Sequence, residues 1–374
     1  MKEVFVVADN IISPIAFSTG ENFAKLVQGI TGVQQHINTA IHAAPFYASL
    51  FENNNFTKHT NYTKFEELLI ASIQIAVHQT NINPADTKTL LILSTTKGNI
   101  SLLETGTYNS SLQQRIALTT SAKLIAAHFN FINQPLIISN ACISGVLAII
   151  TAMRFIKNGL YENIVVAGAD VISKFVFSGF HSFQALSNGM CRPFDKDRNG
   201  INLGEGAATI ILSSHEKNDV NIIVAGGSAS NDANHISGPS RTGDELAQAI
   251  RSALQEAQLS ASDIDFIAAH GTATVYNDEM EAKAIAAANM QDAPVNSLKA
   301  HYGHTLGAAG LIESVISIAS LKQNTVLPSK GFNTLGVSKS INVCNTIIQT
   351  PLRNCIKTAS GFGGCNAAVI FSKQ

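Results

Sequence analysis

The 374-residue chain has no tryptophan, and only 14% of its residues are charged, against about 25% in an ordinary globular domain. So little charge leaves little solvated surface per residue. A large buried core and a buried subunit interface are expected, and a monomer in sedimentation at micromolar concentration would remove the second expectation. Charge of one sign does not accumulate either: the formal net charge is −1 and no segment carries a Lys/Arg cluster, which excludes the electrostatic footprint of a nucleic-acid binder. The five cysteines, Cys142, Cys191, Cys344, Cys355 and Cys365, are odd in number, widely spaced and form no C-x-x-C. Neither a disulfide framework nor a zinc site is expected, and a reducing, cytoplasmic setting fits. Long apolar runs are missing too. The run Gly145–Met153 stops at Arg154, well short of the roughly 18 residues that a membrane span needs. The run Val4–Ala8 after Met1-Lys2-Glu3 is too short and too soon followed by charge to be a signal peptide.

What is present is alternation. Short apolar runs read as buried strands at Glu3–Ala8, Leu90–Ser94, Pro135–Ser139, Asn163–Gly168 and Ala207–Leu212. Helical spacing marks Glu21–Gln28, Lys64–Gln79 and Cys142–Asn158, the last stopped by Gly159. The second half repeats the theme. Strands are expected at Asn221–Ala225, Asp265–Ala269, Val295–Ser297, Cys355–Ala359 and Ala367–Phe371, and helices at Asp244–Ala257, Asn277–Asn289 and Leu306–Lys322. The Asn/Thr/Phe-rich segment Asn38–Thr63 reads as a loop or cap. No Pro/Gly-rich linker separates the halves, so layered α/β with mostly parallel sheets is expected, divided near residues 1–215 and 216–374.

Chemistry-bearing residues fall where such strands end. The run Pro135–Gly145 passes from strand to helix with almost no loop, which puts Cys142 at a helix N-terminus. Unpaired N–H groups and the helix dipole there favour a thiolate, the nucleophilic form. Taken alone, Cys142 reads equally as a small buried core residue. His270 ends the apolar strand Asp265–Ala269 in His-Gly-Thr-Ala-Thr. Asp278 and Glu281 follow it, three apart and on one helical face. His304 lies in Lys299-Ala-His-Tyr-Gly-His304, leading into a Gly/Ala-rich helix. Either histidine by itself reads as a hydrogen-bonded structural residue. The turn Gly361-Phe362-Gly363-Gly364 could present backbone N–H groups to an oxyanion, or be a simple strand connection.

Taken jointly and in this order, these segments resemble the β-ketoacyl-acyl-carrier-protein synthases of the thiolase superfamily. The matching pieces are Asn-Ala-Cys-Ile-Ser-Gly (140–145), Arg-Pro-Phe-Asp-Lys-Asp-Arg-Asn-Gly (192–200), His-Gly-Thr-Ala-Thr (270–274), Lys-x-x-x-Gly-His-x-x-Gly-Ala-Ala-Gly (299–310) and Gly-Phe-Gly-Gly (361–364), with Leu203–Ala207 besides. The resemblance implies a thiolase-like, five-layered αβαβα fold of two similar halves, usually as a homodimer. It also implies decarboxylative condensation of an acyl thioester with a malonyl thioester, both carried on the phosphopantetheine of an acyl carrier protein, with no bound cofactor or metal. Its residue roles, carried over position by position, make Cys142 the acyl-accepting nucleophile. His270 and His304 become the pair that supports decarboxylation and holds the enolate. Lys299 becomes the lysine that structures the site with Glu281 as its partner. Asp278 orients the loop, Glu313 is a buried acid, and Thr272 and Thr274 contact the phosphopantetheine arm. Phe362 is the gate, and its N–H and that of Cys142 form the oxyanion hole.

Several positions depart from the family pattern. Val6–Pro14 lacks the glycines that often follow the first strand, Tyr276-Asn277 precede Asp278 where a glycine is common, and Ser360 stands where several relatives carry a second gating phenylalanine. The aromatic peak Lys174–Phe183 reads either as ordinary core and interface aromatics or as an acyl pocket lined by Phe175, Phe177 and Phe180, suited to flat or unsaturated chains. Two other activities stay open on the same fold: a non-elongating loading decarboxylase or acyltransferase, and a chain-length-setting partner in a heterodimer with a related subunit. Thiolase-type chemistry would need a second cysteine near the C-terminus, and the context of Cys365 is synthase-like instead.

Overall fold

A computed structural model describes residues 2–52, 61–216, 220–233 and 238–374. Ten strands form its main sheet. Those of the first half are β1 (Phe5–Ile12), β2 (Thr89–Ser94), β3 (Leu136–Ile138), β4 (Asn163–Asp170) and β5 (Gly206–Ser213). Those of the second are β6 (Ile222–Asn231), β7 (Phe266–Ala268), β8 (Val295–Asn296), β9 (Asn354–Gly361) and β10 (Cys365–Lys373). The spatial order is β8-β7-β9-β10-β6-β1-β5-β4-β2-β3. Counted outward from the centre, each half therefore runs first, fifth, fourth, second, third. The halves meet where Phe5 of β1 pairs with Ile223 of β6.

The sheet is mixed, which corrects the expectation of mostly parallel pairing. The two pairs at each outer end are parallel, and every pair between β4 and β9 is antiparallel. The cause lies in the connections. β9 and β10 are joined by the short turn 362–364, which only an antiparallel hairpin can accommodate. Strands β1 and β5 are nevertheless buried along their whole length, because helices cover both faces, and so they read as continuous apolar runs.

Helices α1 (Lys64–His78) and α2 (Leu118–His128) cover the outer face of the first half through Phe65, Leu68, Ile73 and Ile125. Between the half-sheets lie α3 (Ser144–Lys157) and α7 (Ala309–Gln323). The aromatic peak of the sequence forms a helix, α4 (Lys174–Ser182). The outer face of the second half takes α5 (Asp244–Ala257) and α6 (Val275–Ala287), through Leu246, Ile250, Met280 and Ile285. The result is the five-layered αβαβα thiolase-like arrangement. In the middle layer, Ala309–Leu321 of α7 is buried throughout. Its approach to α3 depends on two missing side chains. A Cβ on Gly145 would lie 2.6 Å from the Leu311 nitrogen, and one on Gly310 would lie 2.6 Å from Val146 Cγ2.

Most expected elements appear, with boundaries moved by one or a few residues. The expected helix 306–322 begins as a short 3₁₀ turn at Leu306–Ala308, and the expected helix 142–158 begins only at Ser144. The segment expected as a loop at 38–63 contains a strand at Phe46–Ser49 paired with Val33–His36, and its residues 53–60 lie outside the described residues. No helix of the described residues is long and apolar enough to cross a membrane.

Candidate active site

Cys142 sits in the tight corner between β3 and α3. The preceding Ala141 adopts a left-handed φ of 44°, a conformation that costs a non-glycine residue free energy and persists only where its surroundings hold it. Ser144 does so here: its hydroxyl accepts from the Asn140 N–H at 2.8 Å and donates to the Ala141 carbonyl at 2.6 Å. The corner aims the sulfur at the second half.

From that half, two imidazoles converge. His270 Nε2 or Nδ1, a His304 ring nitrogen and the Cys142 sulfur all lie within 4.8 Å of one another. The two rings stand edge to face with centroids 5.3 Å apart, and His304 Nε2 lies 2.9 Å from Cys142 Sγ. Each histidine is fixed through its backbone. The N–H groups of His270 and Gly271 each donate to a separate oxygen of Glu281 at 2.7 Å, and Thr358 Oγ1 donates to the same carboxylate at 2.6 Å. The His304 N–H donates to the Asn202 carbonyl at 2.7 Å. Gly303 before it has φ 68°, and a Cβ there would meet the Leu203 carbonyl oxygen at 2.4 Å, so only glycine admits this approach. Asp278 receives the N–H groups of Phe194 at 2.7 Å and Ala273 at 3.2 Å, tying the 192–200 segment to the loop after His270.

Lys299 is fully buried, but its partner is not the expected Glu281. Its ammonium pairs with Glu313 on α7 and donates to the His270 carbonyl at 3.0 Å. Glu281 is occupied by three other donors. Glu313 also pairs with Lys357, at 2.7 Å, a residue that the sequence reading did not single out. Its signal was available, since Lys357 is the one charge in the expected closing strand Cys355–Ala359.

Electrostatics correct one further expectation. Burial pushes the Cys142 thiol up to about 12, aided by Cys365 and Asp170 and opposed by Lys299 and the Phe362 N–H. The resting group is therefore a thiol, and the helix end, two residues further on, does not prevail over desolvation. Burial likewise holds both His270 and His304 well below the usual imidazole range, with Lys299 and Lys357 acting in the same direction. A thiol beside neutral imidazoles can react if an imidazole takes its proton as attack proceeds. Asp278 is raised to about 7 by burial.

Two cavities open on the sulfur. One, of about 820 Å³, is lined by Phe175, Phe180, Phe183 and Leu306, with Lys97 and Lys174 toward its mouth. The other, of about 530 Å³, is lined by His270, His304, Thr272, Thr274, Asn199 and Ser360. Thr272 and Thr274 share a hydrogen bond of 2.8 Å on its wall. Phe362 borders both cavities and leans on Phe180 and Phe183, with ring centroids at 5.7 and 5.4 Å. Phe177 lines neither. It is buried against Phe46, 4.7 Å between centroids, because successive aromatics of α4 point to different sides of the helix.

Comparison with known proteins assigns this arrangement. Residues 1–218 match the β-ketoacyl synthase N-terminal domain and residues 221–333 the β-ketoacyl synthase C-terminal domain. A 3-oxoacyl-acyl-carrier-protein synthase homolog of Saccharomyces cerevisiae is 33% identical over 285 residues, which cover 69% of this chain and 63% of that protein. The 3-oxoacyl-acyl-carrier-protein synthase 2 of Vibrio cholerae is 33% identical over 257 residues, 63% of this chain and 62% of that one. The alignments thus span less than two thirds of these relatives' length. Among solved structures, a β-ketoacyl synthase from Burkholderia phymatum superimposes with a TM-score of 0.88 over 100% of both chains at 22% identity. The ishigamide ketosynthase/chain length factor gives 0.87 over 99% of both at 24%. With a family model matching more than half its length, the chain belongs to the β-ketoacyl synthase family of the thiolase superfamily.

Proposed function

We propose that this chain is a β-ketoacyl-acyl-carrier-protein synthase that performs decarboxylative Claisen condensation. The observation that carries the reading is the convergence of one sulfur and two imidazole rings within 4.8 Å where two cavities meet. In the first step the Cys142 thiol attacks an acyl thioester, His304 Nε2 takes its proton and passes it to the departing carrier sulfur, and the carrier thiol leaves. The N–H groups of Cys142 and Phe362 hold the transient oxyanion. In the second step a malonyl thioester enters past Thr272 and Thr274, loses carbon dioxide, and leaves an enolate that the imidazole N–H groups of His270 and His304 stabilise. In the third, the enolate carbon attacks the Cys142 thioester, the new C–C bond forms as the C–S bond breaks, and the Cys142 sulfur leaves as a thiolate that takes up one proton from solvent to restore the resting thiol. Lys299, Glu281, Asp278 and Glu313 hold the imidazoles in place. Phe362 gates the passage between the cavities, and Phe175 and Phe180 line the acyl side.

On this reading the substrates arrive on the phosphopantetheine of an acyl carrier protein, and the chain needs no resident cofactor or metal. The solved neighbours include ketosynthases in complex with a chain length factor and with an acyl carrier protein. They support a carrier as partner and a dimer, with a second copy or a related subunit, as the working unit. Five free cysteines fit a cytoplasmic setting. The two parts 1–215 and 216–374 act as the nucleophile half and the histidine half. Incubation with acyl-carrier and malonyl-carrier thioesters tests the proposal: a β-ketoacyl thioester two carbons longer is expected. Carbon dioxide release with no longer product would make the chain a loading decarboxylase instead.

A further inference from the structure

Lys357 lies in the middle of β9, with a side chain wholly removed from solvent. Its ammonium donates to the carbonyls of Ala268 at 3.0 Å and Ala269 at 2.9 Å and pairs with Glu313 at 2.7 Å. Lys299 donates to the next carbonyl, that of His270, and to the other oxygen of Glu313. Three consecutive carbonyls, 268 to 270, are thus held by two ammonium groups that one carboxylate bridges. An ammonium is an expensive group to bury unless it is hydrogen-bonded and paired with an opposite charge, and Lys357 is both. The carbonyls it grips are those that lead into the His270 ring.

We propose that Lys357 is a positioning residue for the condensation: with Lys299 and Glu313 it clamps the end of β7 that carries His270, and it sets a second positive charge facing both imidazoles. The inference rests on the function proposed above. Around the two rings stand Cys142 from the β3–α3 corner, Lys299 from the 299–302 segment and Lys357 from β9, with Glu313 of α7 bridging the two ammonium groups and Glu281 of α6 holding the His270 N–H. Two cations against two carboxylates leave the pocket close to neutral. Removing Lys357 leaves it one negative charge in excess, which favours protonation of the rings. Lys357 already acts with burial and Lys299 to disfavour that protonation.

The test uses the full chain and two readouts, alkylation of Cys142 by iodoacetamide from pH 8 down to the pH at which the wild-type acid limb is reached, and carbon dioxide release from a malonyl-carrier thioester. Alkylation falls on acidification once His304 is protonated and cannot accept the thiol proton. Lys357→Met should move that acid limb to higher pH by about one unit, as expected for losing a charge near an ionisable group. It should also slow carbon dioxide release at pH 7 by about tenfold, within the range for a misplaced hydrogen-bond donor. Glu313→Gln, which leaves both lysines uncompensated, should move the limb the other way. If the methionine variant does not fold, Lys357→Gln keeps a donor, drops the charge and should give the same upward movement. A folded variant of either kind with the wild-type limb overturns the proposal. If the limb moves as expected but the wild-type chain releases no carbon dioxide, the clamp stands and the condensation reading falls.

Discussion

The two halves of this molecule share a strand order but not a chemistry. In the first, the third strand β3 leads through a strained corner into the central helix α3, and the corner carries Cys142. In the second, the corresponding strand β8 leads through Lys299–Tyr302 into the central helix α7, and that connection carries His304. Two equivalent helix entries thus meet at one place, one supplying sulfur and the other imidazole. The surroundings differ as well. Buried charges near the site come mostly from the second half, in Lys299, Lys357, Glu313, Glu281 and Asp278. The first half contributes an aromatic cavity wall. On the function proposed above, acyl capture falls to the first half and enolate chemistry to the second.

That division can be broken most sharply at Cys142. Cys142→Ala should abolish acyl capture and condensation while the second half, left whole, still releases carbon dioxide from a malonyl-carrier thioester; gas release lost together with capture would show that the halves do not act separately. His304→Ala is the converse. Loss of decarboxylation by at least the ~10²–10³-fold typical of a removed oxyanion donor is expected, with acyl transfer to Cys142 slower but measurable by intact mass. Full condensation by that variant would refute the assignment.

Next in size are changes to packing that the two halves share. Gly145→Ala places a methyl 2.6 Å from a backbone nitrogen of α7, and should destabilise the chain by about 2 kcal/mol in denaturant titration. Phe177→Ala should remove about 3 kcal/mol by opening a cavity. Phe175→Ala, at a half-exposed position on the acyl cavity wall, should leave stability nearly unchanged and alter the relative rates of saturated and polyenoyl thioesters.

A smaller effect separates the halves by pH. His270 and His304 are held below the ordinary imidazole value, so the unfolded chain takes up protons first as pH falls below about 6.5. Stability present above that value is then lost on acidification, up to about 2 kcal/mol per histidine at pH 5. Denaturant midpoints at pH 7.5 and 5 should differ less in His304→Gln than in the parent chain.

Much of this was legible in the sequence, and for identifiable reasons. Strands such as β4 and helices such as α5 announce themselves through apolar runs and helical spacing. Cys142, His270 and His304 sit in short, dense motifs at strand ends. Pairings between distant positions were not legible. Lys299 joins Glu313 rather than Glu281, because Glu281 is consumed by the N–H groups of its own neighbouring loop and by Thr358. Phe177 turns into the core while Phe175 and Phe180 reach the cavity, because the three lie on different sides of helix α4. The acidity of Cys142 is hidden for a similar reason. Its place near a helix end is written in the sequence, whereas the depth of its burial is not.

The most direct test is to load Cys142 from an acyl-carrier thioester, record the adduct by intact mass, and then add malonyl-carrier thioester. The adduct should disappear as carbon dioxide and a β-ketoacyl-carrier product form in equal amounts. An adduct that persists while carbon dioxide is released would contradict the claim that the sulfur of one half and the imidazoles of the other serve a single reaction.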